Sequence, residues 1–375
     1  MREFDAVIVG AGIAGASLAW QLAARRSVLL LEREAQAGLH STGRSAAMFM
    51  ESYGPPGVRA LTRAGRAFYE CPPAGFTEHA LLARRGVLYL ATHGQEAMLR
   101  EAQRELSQHG ALLRVLTADE ALARVPCLRP ELVHGALFDP AAEDIDVHAL
   151  HQGYLRGLRQ RGGELLAGTA PGAVRHDGRG WIIGLGDGQA VRAAQVVNAA
   201  GAWADEVGAL FGAAPIGLEP RRRSAFTFKA PPGVEVAGWP AVVGIDESFY
   251  FKPDAGQLLG SPANADATRP HDVLPEELDI ALGIHAIEAV TTLEIRRPTS
   301  TWAGLRSFVA DGEIVIGFDD RQPGFFWLAA QGGYGIQSAA GAAELAAALL
   351  CHEPLPGALA RHGIDPNALA PQRLR

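Results

Sequence analysis

Cysteine is scarce. Its three residues, Cys71, Cys127 and Cys351, are far apart, odd in number and without metal-ligand spacing. That excludes a disulfide framework and a cysteine-based metal site; a cytoplasmic, metal-free protein is the simplest expectation. Positive charge is not in excess: the net charge of −7 gives no electrostatic footprint for nucleic acid. The basic run Arg221, Arg222, Arg223 is short and lies among apolar residues. No window approaches the roughly 18 uncharged apolar residues of a membrane helix, so no integral membrane segment is expected. Met1 to Asp5 leads straight into an apolar run, and no signal peptide is expected. Internal repeats are absent, and an alanine-rich helix near the C-terminus is the one low-complexity stretch.

What is present is apolar mass and glycine. With 375 residues, 48% of them apolar, the chain can bury a large core and exceeds the size at which single cores usually stop growing, so two domains are expected. The organising stretch is AVIVGAGIAGASLAWQLAARRSVLLLE, Ala6 to Glu32. An apolar run meets Gly10, Gly12 and Gly15 at G-x-G-x-x-G spacing, a helical pattern follows, and a second apolar run, Val28 to Leu31, closes on Glu32. Gly10 permits a tight turn, Gly12 lets backbone approach a pyrophosphate, and Gly15 lets helix and strand pack closely. The phosphates sit at the helix N-terminus, where unpaired N–H groups and the dipole favour an anion. Glu32 is placed to accept from ribose hydroxyls, which argues against a 2′-phosphate.

Beyond Glu32, Gly38 to Ala47 reads as a loop able to fold over a cofactor. Helices are predicted over 57–70, Glu96 to His109, Thr117 to Arg124 (capped by Thr117, with Glu120 at the third position), Val147 to Gln160 and Trp203 to Phe211. Strands are predicted at Val87 to Ala91, Gly162 to Leu166, Trp181 to Gly184 and Gln189 to Asn198, with a turn at Asp187 and Gly188. Asp139 to Asp146 reads as an acidic turn. From Pro220 to Leu305 the periodicity is mostly two, predicting antiparallel strands. Strands Ile314 to Gly317 and Phe325 to Ala329 then lead through GGYG, Gly332 to Gly335, into the alanine-rich helix, a second anion-facing N-terminus.

These pieces resemble the D-amino-acid oxidase superfamily of FAD-dependent amine oxidoreductases, and within it the bacterial catabolic D-arginine dehydrogenases. The likeness runs through VIVGAGIAGAS, LEREAQAGLHSTGRSAA, DIDVHALHQGYLRG, VVNAAGAWAD, DESFYFKPDAG, LLGSPANAD, TTLEIRRPTSTWAGLRSFVADG and FFWLAAQGGYGIQ. It implies an α/β fold with a discontinuous Rossmann-like FAD domain (1–75, 140–215 and 306–375) and a mostly antiparallel-sheet substrate domain (76–139 and 216–305). It implies FAD, expected to be non-covalent because no cysteine or histidine sits at a recognisable attachment motif. Gly10, Gly12, Ala14, Gly15, Glu32 and Arg33 would hold its ADP half. Ser41, Thr42, Arg44, Ser45 and Ala46 would line the flavin, Ala200 and Gly201 would approach the phosphates, and Gly332, Gly333, Gly335, Ile336 and Gln337 would bring the last helix to the flavin.

The resemblance also implies a substrate site. Arg306 matches an arginine that grips the substrate carboxylate with a bidentate fork; Tyr53 and Tyr250 match tyrosines that close on the substrate; Arg223 matches an arginine near the carboxylate, or else belongs to a surface cluster. Glu247 either orders the loop carrying Tyr250 or is an exposed loop acid. The implied reaction moves the α-hydride of a neutral amino acid to flavin N5, and the imino acid hydrolyses to a 2-oxo acid and ammonia. It requires positioning and a dry cavity, with a water held by Tyr53 as an adequate proton acceptor. The sequence does not specify the electron acceptor, a quinone or other carrier. Two positions depart from the D-arginine enzymes: Met48 stands where they have histidine, and Val87 where an acid would meet a guanidinium. Apolar D-amino acids are therefore expected, Met48 and Val87 lining the pocket with Gly333, unless Glu51, Glu78 or Glu247 supplies the charge. Competing readings are an oxidase of N-methylated or L-amino acids on the same fold, and a dinucleotide-binding regulatory or RNA-modifying protein.

Overall fold

The computed structural model describes residues 1–108, 113–186 and 188–375. The fingerprint stretch forms a strand, Arg2–Val9, a helix, Ile13–Leu22, and a second strand, Val28–Leu31. They start an eight-stranded sheet whose parallel centre runs Glu164–Leu166, Val28–Leu31, Arg2–Val9, Ala190–Asn198, Phe325–Ala329. Its central strands carry no polar alternation because both faces are covered. Ala6, Ile8, Val28 and Leu30 pack into one core with the helices Ile13–Leu22, Val147–Gln160 and Gly335–Leu350. Val7, Val9, Leu29 and Leu31 face the opposite core, with Trp181, Ile183 and Phe211.

The order of the parallel strands reverses between Arg2–Val9 and Ala190–Asn198: Val28–Leu31 and Glu164–Leu166 lie on one side of the pair and Phe325–Ala329 on the other. Ligands of such sheets bind beyond the carboxyl ends of the strands at this switch point. Here those ends are the turn at Gly10 and the segment Ala199–Gly201, joined by the bond from Ala199 N–H to Val9 O.

A nine-stranded, mostly antiparallel sheet forms the other layer. Its long members, Glu219–Phe228 and Ser300–Phe308, pair over nine residues, with Arg221 opposite Arg306 and Arg223 opposite Gly304. Ser300–Phe308 runs through the expected division at 305/306, so Arg306 is carried by this sheet. A small sheet of Met48–Phe49, Glu143–Ile145 and Leu82–Arg84 bridges the layers.

Two readings are corrected. Glu277–Val290 is a helix inside the stretch whose mostly two-residue period predicted antiparallel strands; Ile280, Gly283 and Ile287 put one face on Phe226 and Gly260 of the sheet, while exposed Leu278 and Leu282 blur the helical period. The acidic turn 139–146 contains the strand Glu143–Ile145, held by pairing on both edges. The helix expected to reach His109 is Glu96–Gln108, with His109 outside the described residues; Asp187 of the predicted turn also lies outside them. The Thr117–Glu120 capping box forms with both bonds.

Candidate active site

A cavity of about 390 Å³ follows the switch point from Arg33, Trp203 and Pro171 at one end to Tyr53, Arg306 and Tyr250 at the other. At the first end, Gly10 has φ +102° and a side chain there would strike the Ala199 carbonyl; at Gly15 it would strike Gly10 O. A Cβ on Gly12 would meet nothing nearer than Thr42 Oγ1 at 3.2 Å, so its backbone stays open to the cavity. Glu32 is fixed by two backbone donors, Ala11 N–H to Oε2 and Glu34 N–H to Oε1, both 2.9 Å. Each oxygen keeps a lone pair for a further donor. Arg33 stacks over Trp203 with its guanidinium 4.3 Å from the ring.

The helices Ile13–Leu22 and Gly335–Leu350 both begin at this cavity without a side-chain cap from their own N-cap residue. Two dipole ends that favour negative charge therefore converge on one space. Thr42 reaches the first of them, its hydroxyl accepting from Ile13 N–H at 2.9 Å. Glycines that leave backbone bare, a carboxylate with free lone pairs and two open helix ends fit the pyrophosphate, ribose and flavin ring of FAD.

Several expected cofactor residues line the cavity while their polar groups are bonded to the protein itself. The Arg44 guanidinium donates to Val273 O and Ala303 O at 3.0 Å and pairs with Asp272, fastening the loop Gly38–Ala47 to the second sheet. Ser41 donates to Leu305 O at 2.6 Å and Ser45 accepts from Ala47 N–H at 3.1 Å. Gln337 is 3% exposed; it donates to Met50 O and Tyr53 O and accepts from Met50 N–H, so it positions the segment that carries Tyr53. Ala14, Ala46, Ala200, Gly201, Gly332, Gly335 and Ile336 line the cavity as well.

At the other end, Arg306 Nη2 donates to the Tyr53 hydroxyl at 2.9 Å. Its guanidinium lies against Gly333, where any side chain would overlap it. Arg223 enters beside it, with Nε on Asn264 O at 2.6 Å. Among the described residues neither guanidinium has a carboxylate in ion-pair contact, so most of their donors face the cavity. Burial and then the Arg306 charge push the Arg223 pKa down. Burial opposes the Arg306 charge too, but the Tyr53, Tyr250 and Tyr334 hydroxyls outweigh it and leave its pKa raised. Arginine stays cationic throughout, so an anion placed between the two relieves their repulsion. Tyr53 packs edge-on to Tyr334, ring centres 4.9 Å apart, and burial pushes the Tyr334 hydroxyl up to about 12.

Met48, Tyr250 and Glu247 line this end, the last at the exposed rim with φ +56°. Val87 does not. It is 0% exposed, packed behind Met50 and Ala241, and Tyr89 on the same strand face is what reaches the cavity. Of the substitute acids, Glu51 is bound to Arg66 and Glu78 is exposed outside the cavity. Three residues that the sequence did not single out matter here. His151, on the helix Val147–Gln160, reaches Ala11 O with Nε2 at 2.8 Å; Asn198 closes its turn on Ala204 O at 2.7 Å; Lys252 lines the cavity beside Tyr250. Only a long-range partner reveals each of these, except Asn198, whose place before a small-residue turn is a local sign. Away from the cavity, His93, Glu96 and His134 gather at the surface with ligand atoms within 4.8 Å.

Fold and site together define a flavin-dependent oxidoreductase. Residues 5–349 match the DAO family of FAD-dependent oxidoreductases, and the chain belongs to it. It is similar to glycine oxidase of Geobacillus kaustophilus, 24% identical with 87% of each chain covered. It is also similar to hydrogen cyanide synthase subunit HcnC of Pseudomonas aeruginosa, 26% identical over 84% of this chain and 85% of that one. The solved glycine oxidase of G. kaustophilus superposes with TM-score 0.85 at 23% identity, covering 99% and 98%. An L-α-glycerophosphate oxidase from Mycoplasma pneumoniae with FAD bound gives 0.83 at 16% identity, covering 94% and 95%. FAD is the cofactor, and among the described residues no helix is long and apolar enough to cross a membrane.

Proposed function

We propose that the protein is a D-amino-acid dehydrogenase that oxidises substrates with apolar side chains to imino acids. The observation that carries this is the Arg306 guanidinium, backed by Gly333 and Tyr53, with its remaining donors beside Arg223 and, among the described residues, no carboxylate in contact. Bound FAD supplies the two-electron acceptor that the oxidation of a C–H bond beside an amine requires. Arg306 holds the substrate carboxylate in a bidentate fork, and the Tyr53 hydroxyl, fixed by Arg306, adds a contact to the same group. Tyr250 closes the opposite wall. The amine enters the reaction neutral, its proton passing to a water held at Tyr53. Met48, Met50, Tyr89, Ala241 and Val243 form the apolar wall that keeps water from the reacting carbon. The released imino acid takes up water to give a 2-oxo acid and ammonia.

Similarity to glycine oxidase, whose name describes an amino-acid substrate, supports this class. D-Arginine or D-lysine is the runner-up, favoured by the DESFYFKPDAG and RSFVADG runs around Tyr250 and Arg306. Oxidation of a small N-methylated or L-configured amino acid is the other alternative, and names such as monomeric sarcosine oxidase and L-amino acid deaminase among the relatives favour it. Anaerobic bleaching of the yellow enzyme across a panel of D- and L-amino acids, glycine and sarcosine decides among them. Bleaching by apolar D-amino acids is expected; bleaching by L-amino acids or sarcosine alone would overturn the reading. Oxygen consumption with peroxide would mark an oxidase rather than a dehydrogenase that passes electrons to a quinone or other carrier.

A further inference from the structure

Lys229 and Lys252 are the only lysines of a chain with 34 basic residues in total, and Lys252 is the buried one, 6% exposed. It lies two residues after Tyr250 on the strand Tyr250–Asp254, on the face that lines the cavity, while Phe251 between them enters the core at 0% exposed. Its ammonium donates to Asp144 Oδ1 at 2.6 Å. The other oxygen, Oδ2, accepts from Arg85 Nε at 2.7 Å, and Arg85 is itself pinned to Ala237 O and Trp239 O. Asp144 stands opposite Met48 in the small sheet, and Met48 lines the cavity although Asp144 does not. A carboxylate therefore lies directly behind the pocket wall, with a cation on each of its oxygens.

We propose that Lys252 determines substrate specificity as a resident cation: its ammonium occupies the place on Asp144 that a substrate guanidinium or ammonium would otherwise take. This rests on the amino-acid reading above and narrows it. A cationic side chain entering beside Met48 meets Lys252 before it meets a free carboxylate, so it loses its hydration without gaining a counter-ion. An apolar chain of the same length loses nothing. Arginine at 252 would not serve equally, because its wide planar fork demands more of the carboxylate than one oxygen beside Arg85 offers, whereas an ammonium is a compact point charge. Val87 then has no part in excluding D-arginine; the exclusion comes from the strand Tyr250–Asp254.

D-Lysine and D-norleucine differ at the tip by an ammonium against a methyl group, and their kcat/KM ratio is the readout. The wild-type FAD enzyme is expected to prefer D-norleucine by about tenfold or more, the size of a discrimination of about 1.4 kcal/mol. Lys252→Ala opens a path to Asp144 and is expected to shift the ratio towards D-lysine by about tenfold, and Asp144→Asn added to it should cancel the gain. A merely structural ion pair would lower both substrates together and leave the ratio unmoved, which overturns the proposal. If Lys252→Ala does not retain flavin, the wild-type ratio decides: D-lysine used as well as D-norleucine overturns it. Failure of both amino acids to reduce the flavin would defeat the amino-acid reading itself, an outcome separate from a ratio of one.

Discussion

Arg306 owes its position to two neighbours of opposite kind, an acceptor in Tyr53 and a missing side chain at Gly333. Arg306→Met should leave FAD bound and lower kcat/KM about 30-fold or more, since losing one partner of a desolvated charge pair costs roughly 2 kcal/mol or above; near-normal steady-state kinetics would remove Arg306 from the site. Gly333→Ala should act through the same guanidinium, because the added methyl group overlaps it. Displacement by about an ångström at a reacting centre costs on the order of 100-fold, and the expected signature is a loss that Arg306→Met does not deepen in the double variant. At this level much was legible in the chain. The glycine spacing and Glu32 mark one cavity end because each type is required by local backbone geometry. Val87 was misplaced because the direction of a side chain depends on what packs beyond it, here Met50; Arg44 does line the cavity, but the carbonyls of Val273 and Ala303 that hold its guanidinium lie more than 200 positions away in the chain and had no local sign.

The helix Val147–Gln160 braces the fingerprint turn through His151. Burial lowers the pKa of this imidazole, the bond to Ala11 O partly opposing it. Its folded value thus lies below the ordinary value of about 6.5. On acidification the unfolded chain takes up the proton first, so the stability due to neutral His151 is complete above about pH 6.5 and falls as pH drops towards the folded pKa. His151→Gln retains an N–H donor without titrating. Its unfolding midpoint in urea, measured from pH 8 to pH 5, should decline less steeply than the wild type; parallel curves would show that other groups set the slope. Elements with one uniform period were readable, as in the amphipathic Val147–Gln160. Glu277–Val290 was not, because its outer face carries Leu278 and Leu282 where polar residues are expected, so no clean stripe announced a helix.

For the molecule as a whole, the cavity lies between layers built from the beginning, middle and end of the chain. No cysteine lines the cavity; Cys71, Cys127 and Cys351 lie outside it. His40 does line it, with Nε2 held at Glu34 Oε1 at 3.0 Å; acid or heat precipitation should leave all yellow colour in the supernatant, measured at the flavin absorption band, and colour in the pellet would establish a covalent link. The two-layer architecture followed from the change of hydrophobic period along the chain, whereas the joining of the layers by Arg44 and by the small sheet had no local sign. The pairing of Phe325–Ala329 with Ala190–Asn198, and of the helix Gly335–Leu350 with Ile13–Leu22, bears on the order of events at the ribosome. The fingerprint is translated before the wall that faces it, so a nascent chain arrested before residue 330 lacks the part of the cavity lining from Ala330 to Gln337.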